Sequence, residues 1–149
     1  MPTYPKVTKP WRGYPSANCI MAIRLRIDQA PVPDPVGMIP LGTVTITPGR
    51  AIHVGTIPKG SFILPAHRQV KTIFNGTTPT LKIGTIADTE AILKTADSGL
   101  TTVSVTSGLV GNQMGIAATD LVLYAEINAV GATPAGVADF VIPFYIQKD

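Results

Sequence analysis

The sequence predicts an all-β fold, an antiparallel β-sandwich or jelly roll that follows an extended, proline-rich N-terminal arm. Its 149 residues include 18 Thr, 14 Gly and 14 Pro, a composition that disfavours helices and suits short strands joined by turns. Turn signals separate roughly eight to ten short segments of apolar–polar alternation, and no long helical pattern interrupts them. Charged residues make up 14% and hydrophobic residues 45%, which predicts a folded domain with a surface of neutral polar groups.

The arm is predicted over residues 1–18 and a single domain over residues 19–149. Eight of the 14 prolines fall within the first 40 residues, and proline blocks both helix and interior strand pairing. Residues 1–27 carry five basic residues and no acidic residue, whereas residues 28–149 carry seven basic and nine acidic residues. The positive charge therefore belongs to one end of the chain.

The first predicted strands alternate with period two. Residues 19–27 place apolar side chains on one face and polar or small ones on the other. Residues 41–47 and 51–57 follow the same pattern, and the Pro48-Gly49 turn between them predicts a hairpin.

The middle strands are separated by the strongest turn signal of the sequence. Strands are predicted at residues 61–64, 70–74 and 80–86. The Asn75-Gly76 dipeptide lies between the last two, and these residue types tolerate the positive φ that tight turns require. The chain is therefore expected to reverse there.

The last third contains one weak helix signal and three strand signals. Residues 88–96 have helix-compatible content that Gly99 ends quickly, so at most a short helical turn is expected. Residues 101–106 and 121–128 alternate again. The final strand places four apolar side chains on one face: Phe140, Ile142, Phe144 and Ile146. Pro143 in that strand predicts an edge position or a bulge.

The residues that usually carry catalysis or bind metals are few. Cys19 is the single cysteine, which excludes an internal disulfide and a cysteine-based zinc site. His53 and His67 are the only histidines and show no metal-ligand spacing. Nucleophile-elbow, Walker and dinucleotide-binding motifs are absent. We therefore predict no enzyme activity, no cofactor and no metal; an enzyme would need His53 or His67 to converge on acids in a concave site.

Membrane insertion and secretion are not expected. The longest charge-free run, residues 98–119, is 22 residues long but contains only nine apolar residues, so burying it in lipid would cost too much. The N-terminus has no apolar core typical of a secretory signal. The protein is expected to stay where it is made.

The arm is the most informative element for function, because cations alternate in it with aromatic rings. The predicted binding residues of the arm are Tyr4, Lys6, Lys9, Trp11, Arg12 and Tyr14. Arg24 and Arg26 form a possible additional interface. Such interleaving also occurs in single-strand nucleic-acid binders, but the neutral to acidic body offers no extended basic groove. Docking on another protein is favoured over nucleic acid and over a merely solvated tail, because Trp, Tyr and Arg are common interface anchors.

Four segments together resemble the head-decoration, or cement, proteins of tailed bacteriophages. They are Ile57-Pro58-Lys59-Gly60-Ser61-Phe62-Ile63, Phe74-Asn75-Gly76-Thr77, Leu81-Lys82-Ile83-Gly84 and the loop from Gly131 to Gly136 before the final strand. The resemblance covers about residues 41–147. These motifs consist of turns and short strand segments and include no catalytic signature. The first 40 residues lie outside the resemblance.

The resemblance implies a virion protein on the capsid exterior, made in the host cytoplasm and not secreted. It implies a symmetric homo-oligomer, with a dimer favoured over a trimer, that clamps neighbouring major capsid proteins of the same virus. The alternative function is a phage tail fibre, spike or baseplate component with a glycan-binding role, built on the same sandwich.

Overall fold

Two β-sheets make up the part of the protein that this computed structural model describes, residues 20–29, 43–128, 130–131 and 134–146. The strands are β1 (Ile20–Asp28), β2 (Thr43–Val44), β3 (Ala51–Ile57), β4 (Ser61–Ile63), β5 (Ala66–Thr72), β6 (Thr80–Gly84), β7 (Ser104–Leu109), β8 (Gly115–Ile116), β9 (Leu121–Asn128) and β10 (Val137–Ile146). One short 3₁₀ helix, η1 (Thr95–Asp97), lies between β6 and β7, and the described ranges contain no α-helix. The predicted all-β antiparallel fold is confirmed; the jelly-roll assignment stays a prediction.

The larger sheet, which we call sheet A, is built around β10. β1 pairs antiparallel with β10 along its whole length. On the other side of β10, β5 pairs with the first half and β4 with the second half. β7 lies outside β5, β8 lies outside β4, and β2 pairs in parallel with β1. The smaller sheet, sheet B, has the order β3-β9-β6 and is antiparallel throughout.

The two sheets enclose a single hydrophobic core. The inward-facing side chains of β9 alternate as predicted, since Leu121, Leu123, Ala125 and Ile127 are buried and their neighbours are not. The β10 side chains opposite them are Phe140, Ile142 and Phe144. Each fully buried Leu, Ile or Phe contributes roughly 1.5–3 kcal/mol relative to an exposed one. Period-two alternation thus defines the interior.

The predicted hairpin between residues 41–47 and 51–57 is wrong, because the chain changes sheets at this turn. β2 pairs with β1 in sheet A, whereas β3 pairs with β9 in sheet B. Gly49, with φ +77°, donates its N–H to the Ile127 carbonyl at 2.9 Å. On the sheet A side, the buried Gln29 amide donates to the Ile46 carbonyl and accepts from the Ile46 N–H, at 2.8 and 2.9 Å. Two long-range hydrogen-bonding arrangements therefore replace the local ladder.

The helix-compatible segment 88–96 forms turns and bends with one bridge to sheet B, and no α-helix. Leu93 is buried and bridges Ile83 of β6, with backbone hydrogen bonds of 3.0 and 3.1 Å. Only η1 at the end of the segment is helical. Burial of an apolar side chain against a sheet thus overrides a weak helix propensity.

Pro143 lies in a central strand, so of the two predicted alternatives the edge position is wrong and an irregularity is present. Phe144 pairs with Ile63 and Val141 with His67, which leaves one extra residue on the partner side beside Pro143. Its carbonyl accepts a hydrogen bond from the Leu64 N–H at 3.0 Å. In an antiparallel strand the nitrogen and carbonyl of one residue point to the same side. The Pro143 nitrogen therefore faces the irregular segment between β4 and β5, where regular strand pairing is interrupted.

The Asn75-Gly76 turn contacts the loop that precedes β10. Gly76 has φ +121°, as the turn prediction requires. The Asn75 side-chain oxygen accepts the Ala135 N–H at 2.9 Å, and its carbonyl accepts the Gly131 N–H at 3.0 Å. A Cβ at Gly136 would lie 2.4 Å from the Phe74 ring. Two of the four motifs behind the family resemblance therefore pack on each other.

Candidate functional site

The outer face of sheet A carries an apolar row across four strands. Strand register aligns Ile20 of β1, Tyr145 of β10, Phe62 of β4 and Ile116 of β8. The Phe62 and Tyr145 rings stack with centroids 5.2 Å apart. Ile20 is 68% and Ile116 55% exposed. This apolar row presents large side chains to water, as protein-binding surfaces do.

A groove of about 480 Å³ lies on the same face, further along β1 and β10. Two cross-strand rows form it. One row is Arg24, Val141 and His67, and the other is Arg26, Asp139, Gln69 and Val105. We call it the sheet A groove. It spans four neighbouring strands, so its position depends on the long-range pairing of sheet A.

An ion-pair cluster fixes one side of the sheet A groove. Asp139 accepts hydrogen bonds from Nε and Nη2 of Arg26 at 2.7 and 3.0 Å, and Nζ of Lys71 lies 2.9 Å from it. These hydrogen bonds lower the pKa of Asp139 against the opposing effect of burial. The same hydrogen bonds raise the pKa of Arg26, with a smaller contribution from Asp28. The carboxylate is therefore ionised and doubly paired.

The structure brings together two of the eight sequence-predicted binding residues. Arg24 and Arg26 both face outward and line the sheet A groove. The Arg26 side chain is held by Asp139, whereas the Arg24 side chain makes no hydrogen bond or ion pair with any other described residue. The other six residues, Tyr4, Lys6, Lys9, Trp11, Arg12 and Tyr14, lie outside the described residues.

The two histidines do not converge. His53 lies on the outer face of sheet B, where its ring packs edge-on against the Tyr124 ring with the ring centroids 5.8 Å apart. His67 lies in the sheet A groove with Asp139, whose carboxylate is occupied by Arg26 and Lys71. An acid–base pair of the kind an enzyme needs is therefore not formed by these groups.

Neither a cluster of metal-binding side chains nor a membrane-spanning helix occurs in the part of the chain that the structure describes. Within residues 20–29, 43–128, 130–131 and 134–146, His, Cys, Asp and Glu side chains nowhere form a group of three that could hold a metal ion. In those same ranges, no helix has the length and apolar character needed to span a bilayer.

Sequence reasoning missed the residues that give this face its character. Phe62, Tyr145, His67, Gln69 and Asp139 come from three strands, and their rows exist only once the strands pair. One signal was available, because the outward positions of β10 include valines, Pro143 and Tyr145. A strand that is apolar on both faces is typical of a sheet covered on both sides.

Two solved chains share this fold over most of their length. A chain of the cyanophage Pam1 capsid asymmetric unit is 18% identical, with a TM-score of 0.50, and the match covers 86% of this chain and 85% of that one. A chain of the capsid of Ralstonia phage GP4 is 15% identical, with a TM-score of 0.54 and coverage of 89% and 88%. No family model and no curated protein matches the sequence. At these identities the likeness establishes a common fold.

Proposed function

We propose that this protein is a structural, non-enzymatic component of a phage virion, a decoration or cement protein bound to the outside of the capsid. In this role it clamps neighbouring major capsid proteins. The fold shared with chains of two phage capsids supports the virion setting. The residues quoted for the family resemblance support the decoration role.

The observation that carries the proposal is the apolar row on sheet A. Ile20, Tyr145, Phe62 and Ile116 stay in contact with water unless a partner covers them. Aromatic side chains in such positions are typical anchors of protein interfaces. A protein that binds the assembled shell better than free subunits stabilises the shell by mass action and requires no catalytic group.

The N-terminal arm has a second part in the proposal. Residues 2–15 become ordered against the capsid or a neighbouring copy of this chain. The arm contains Pro2, Pro5, Pro10 and Pro15, and proline reduces the conformational entropy lost on ordering. Its basic residues add an electrostatic contribution that weakens as salt is raised.

Binding to purified undecorated heads of the same phage tests the proposal. We expect the full chain to bind at saturable sites on the outer surface, located by electron microscopy of the decorated heads. Deletion of residues 2–15 is expected to weaken binding, and Trp11→Ala alone to cost about 2 kcal/mol if its ring fills a pocket. No binding of the full chain to heads contradicts the decoration role. Unchanged affinity of the deletion variant removes the arm from the mechanism and leaves the decoration role in place.

A further inference from the structure

The sheet A groove has more positive than negative charge at its charged end. Asp139 is the one carboxylate among the described residues that line the groove, and it is paired with Arg26 and with the neighbouring Lys71, whereas Arg24 lies in the adjacent row opposite Val141. Asp28 lies one row beyond, opposite Val137 on β10. Arg24 is exposed and is the cation of the groove without a described polar partner. The groove thus contains a guanidinium available to a ligand.

The remaining groove residues suit an extended peptide. His67 and Gln69 are exposed on β5, and both offer side-chain nitrogen atoms. Val141 lies in the same row as Arg24 and His67, between them. Neighbouring strands are about 4.8 Å apart, so Arg24 and His67 lie roughly 10 Å apart across Val141. A carboxylate above Val141 can be reached from both walls, and Val105, 73% exposed, offers apolar contact beside it.

The chain's own undescribed segments are poor electrostatic matches for this groove. Residues 1–19 contain three basic residues and no acidic one. Residues 30–42 contain one acidic residue, Asp34, and residues 147–149 contain one acid and one base. Charge complementarity therefore favours an acidic segment of another protein.

We propose that the sheet A groove binds an extended, carboxylate-bearing segment of the capsid protein on which this chain sits. The guanidinium of Arg24 pairs with a carboxylate, for which its planar arrangement of donors is suited. His67 and Gln69 donate from the opposite wall, and the Arg26–Asp139 pair holds the groove side in place. The identity of this partner depends on the proposed function, whereas the carboxylate chemistry of the groove does not.

A labelled acidic peptide tests the chemistry with the isolated full-length protein. Fluorescence anisotropy with fluorescein-labelled hexaglutamate is expected to show saturable binding, and hexaserine with the same label none. Arg24→Glu is expected to weaken hexaglutamate binding at least tenfold. The matched control is Arg50→Glu, the same charge change in the exposed turn after β2, with a change below twofold. Equal loss in both variants overturns the proposal, because binding then reflects net charge alone.

A second variant tests whether the groove itself, and not only its charge, is needed for binding. Val141→Trp fills the groove between Arg24 and His67 without changing any charge, and at least fivefold weaker binding of hexaglutamate is expected. Wild-type affinity for Val141→Trp overturns the groove as the binding site. Circular dichroism and thermal unfolding establish that each variant is folded.

Gln69→Ala, on the exposed side of β5, is a milder variant that should weaken hexaglutamate binding at least twofold. Unchanged affinity for Gln69→Ala overturns the proposed contact between Gln69 and the peptide.

Decorated heads identify the partner. With p-benzoylphenylalanine in place of Val105, at the groove rim, photocrosslinks are expected to an acidic segment of the major capsid protein. The same group in place of Thr56, on the exposed outer face of sheet B, is the control. Crosslinks to a second copy or to the chain's own arm overturn the assignment. Wild-type binding to heads by both Arg24→Glu and Val141→Trp also overturns it while the decoration role stands. Failure of the wild-type chain to bind heads overturns the decoration role and leaves the hexaglutamate results to decide the groove.

Discussion

The outer faces of the two sheets differ in how far the chain itself covers them. Sheet A leaves the apolar row and a groove of about 480 Å³ open. On sheet B, Glu126 is paired with Lys82 at 3.7 Å and accepts a hydrogen bond from Asn128 at 2.8 Å. The loop after β6 approaches Gly84 closely, and the cavity beside it measures about 20 Å³. Part of the outer face of sheet B is thus covered by the chain's own residues, whereas the apolar row and the groove of sheet A are not.

The difference arises from the outward positions of the strands. The outward residues of β9 next to Lys82 are Tyr124, Glu126 and Asn128, which can pair with polar neighbours. In the apolar row of sheet A, the outward residues include Ile20, Phe62 and Ile116, whose side chains cannot form hydrogen bonds or ion pairs. Both faces use the same alternation, so the two faces differ in the chemistry of their exposed side chains, and this difference is the reason why the interface is proposed on sheet A.

Substitution by a larger side chain should lower the free energy of unfolding much more on sheet B than on sheet A, and this is the largest difference expected between the two faces. Gly84 faces outward on sheet B, and a Cβ there would lie 2.2 Å from the Asp88 carbonyl oxygen. We expect Gly84→Ala to lower the free energy of unfolding by about 3 kcal/mol, because backbone must move. Ala22→Leu on the exposed face of sheet A should cost less than about 0.5 kcal/mol. Urea denaturation measures both, and equal losses contradict the view that sheet B alone is covered.

Loss of an aromatic ring should affect capsid binding on one face only. Phe62→Ser removes an anchor of the apolar row and is expected to weaken binding to undecorated heads about thirtyfold, or about 2 kcal/mol. Tyr124→Ser removes a ring from sheet B that is half-buried, as Phe62 is, and should change affinity less than about twofold. Surface plasmon resonance on immobilised heads compares them. If Tyr124→Ser is the weaker binder, the interface lies on sheet B.

The ion pairs of the two faces should differ in their contribution to stability. Asp139→Asn removes the negative charge and replaces one carboxylate oxygen by an NH2 group, so at most one of the two hydrogen bonds from Arg26 remains and the ion pairs with Arg26 and Lys71 are lost. We expect a loss of about 1–2 kcal/mol. Glu126→Gln weakens a pair whose atoms are 3.7 Å apart and should cost less than about 0.5 kcal/mol. Thermal and chemical unfolding of both variants check this ranking. The reverse order would mean that the sheet B pair is the stronger one.

The smallest expected effect is the pH dependence of the contribution that Asp139 makes to stability. The pKa of Asp139 is lowered in the folded state by its hydrogen bonds with Arg26 and Lys71. Its contribution is therefore present above the ordinary aspartate pKa of about 4 and is lost as the pH falls from there through the lowered value. The stability difference between wild type and Asp139→Asn should shrink below about pH 4. A difference independent of pH would show that the charge of Asp139 contributes nothing.

Local alternation predicted much of the fold. β3 and β9 have the predicted bounds, residues 51–57 and 121–128. Apolar and polar residues alternate cleanly along β9, whereas the alternation of β3 is interrupted by a register shift between His53 and Gly55. β5 and β7 begin and end elsewhere than predicted, since neighbouring segments carry little alternation. The chain's placement in two sheets was not predictable from the Pro48-Gly49 turn, because a turn of that kind serves a hairpin and a sheet crossing equally well.

The candidate site was predicted only in part. The outward direction of Arg24 and Arg26 follows from the pattern of residues 19–27, and the structure agrees. Their partner Asp139 is 113 positions from Arg26, and nothing in local sequence specifies a pairing over that separation. The groove is a product of such pairings, so its volume and its second wall require the assembled sheet.

Pro143 also limits the ways in which the sheet can be aligned. If β10 shifted by one residue, its whole set of buried side chains would move to the solvent face. The same shift would bring the proline ring opposite a partner that expects a hydrogen-bond donor. In the alignment seen here, the ring nitrogen faces the irregular segment between β4 and β5, and the alternate apolar side chains of β10 stay in the core. A residue that disfavours regular strand pairing thus also disfavours a shifted register of the longest described strand.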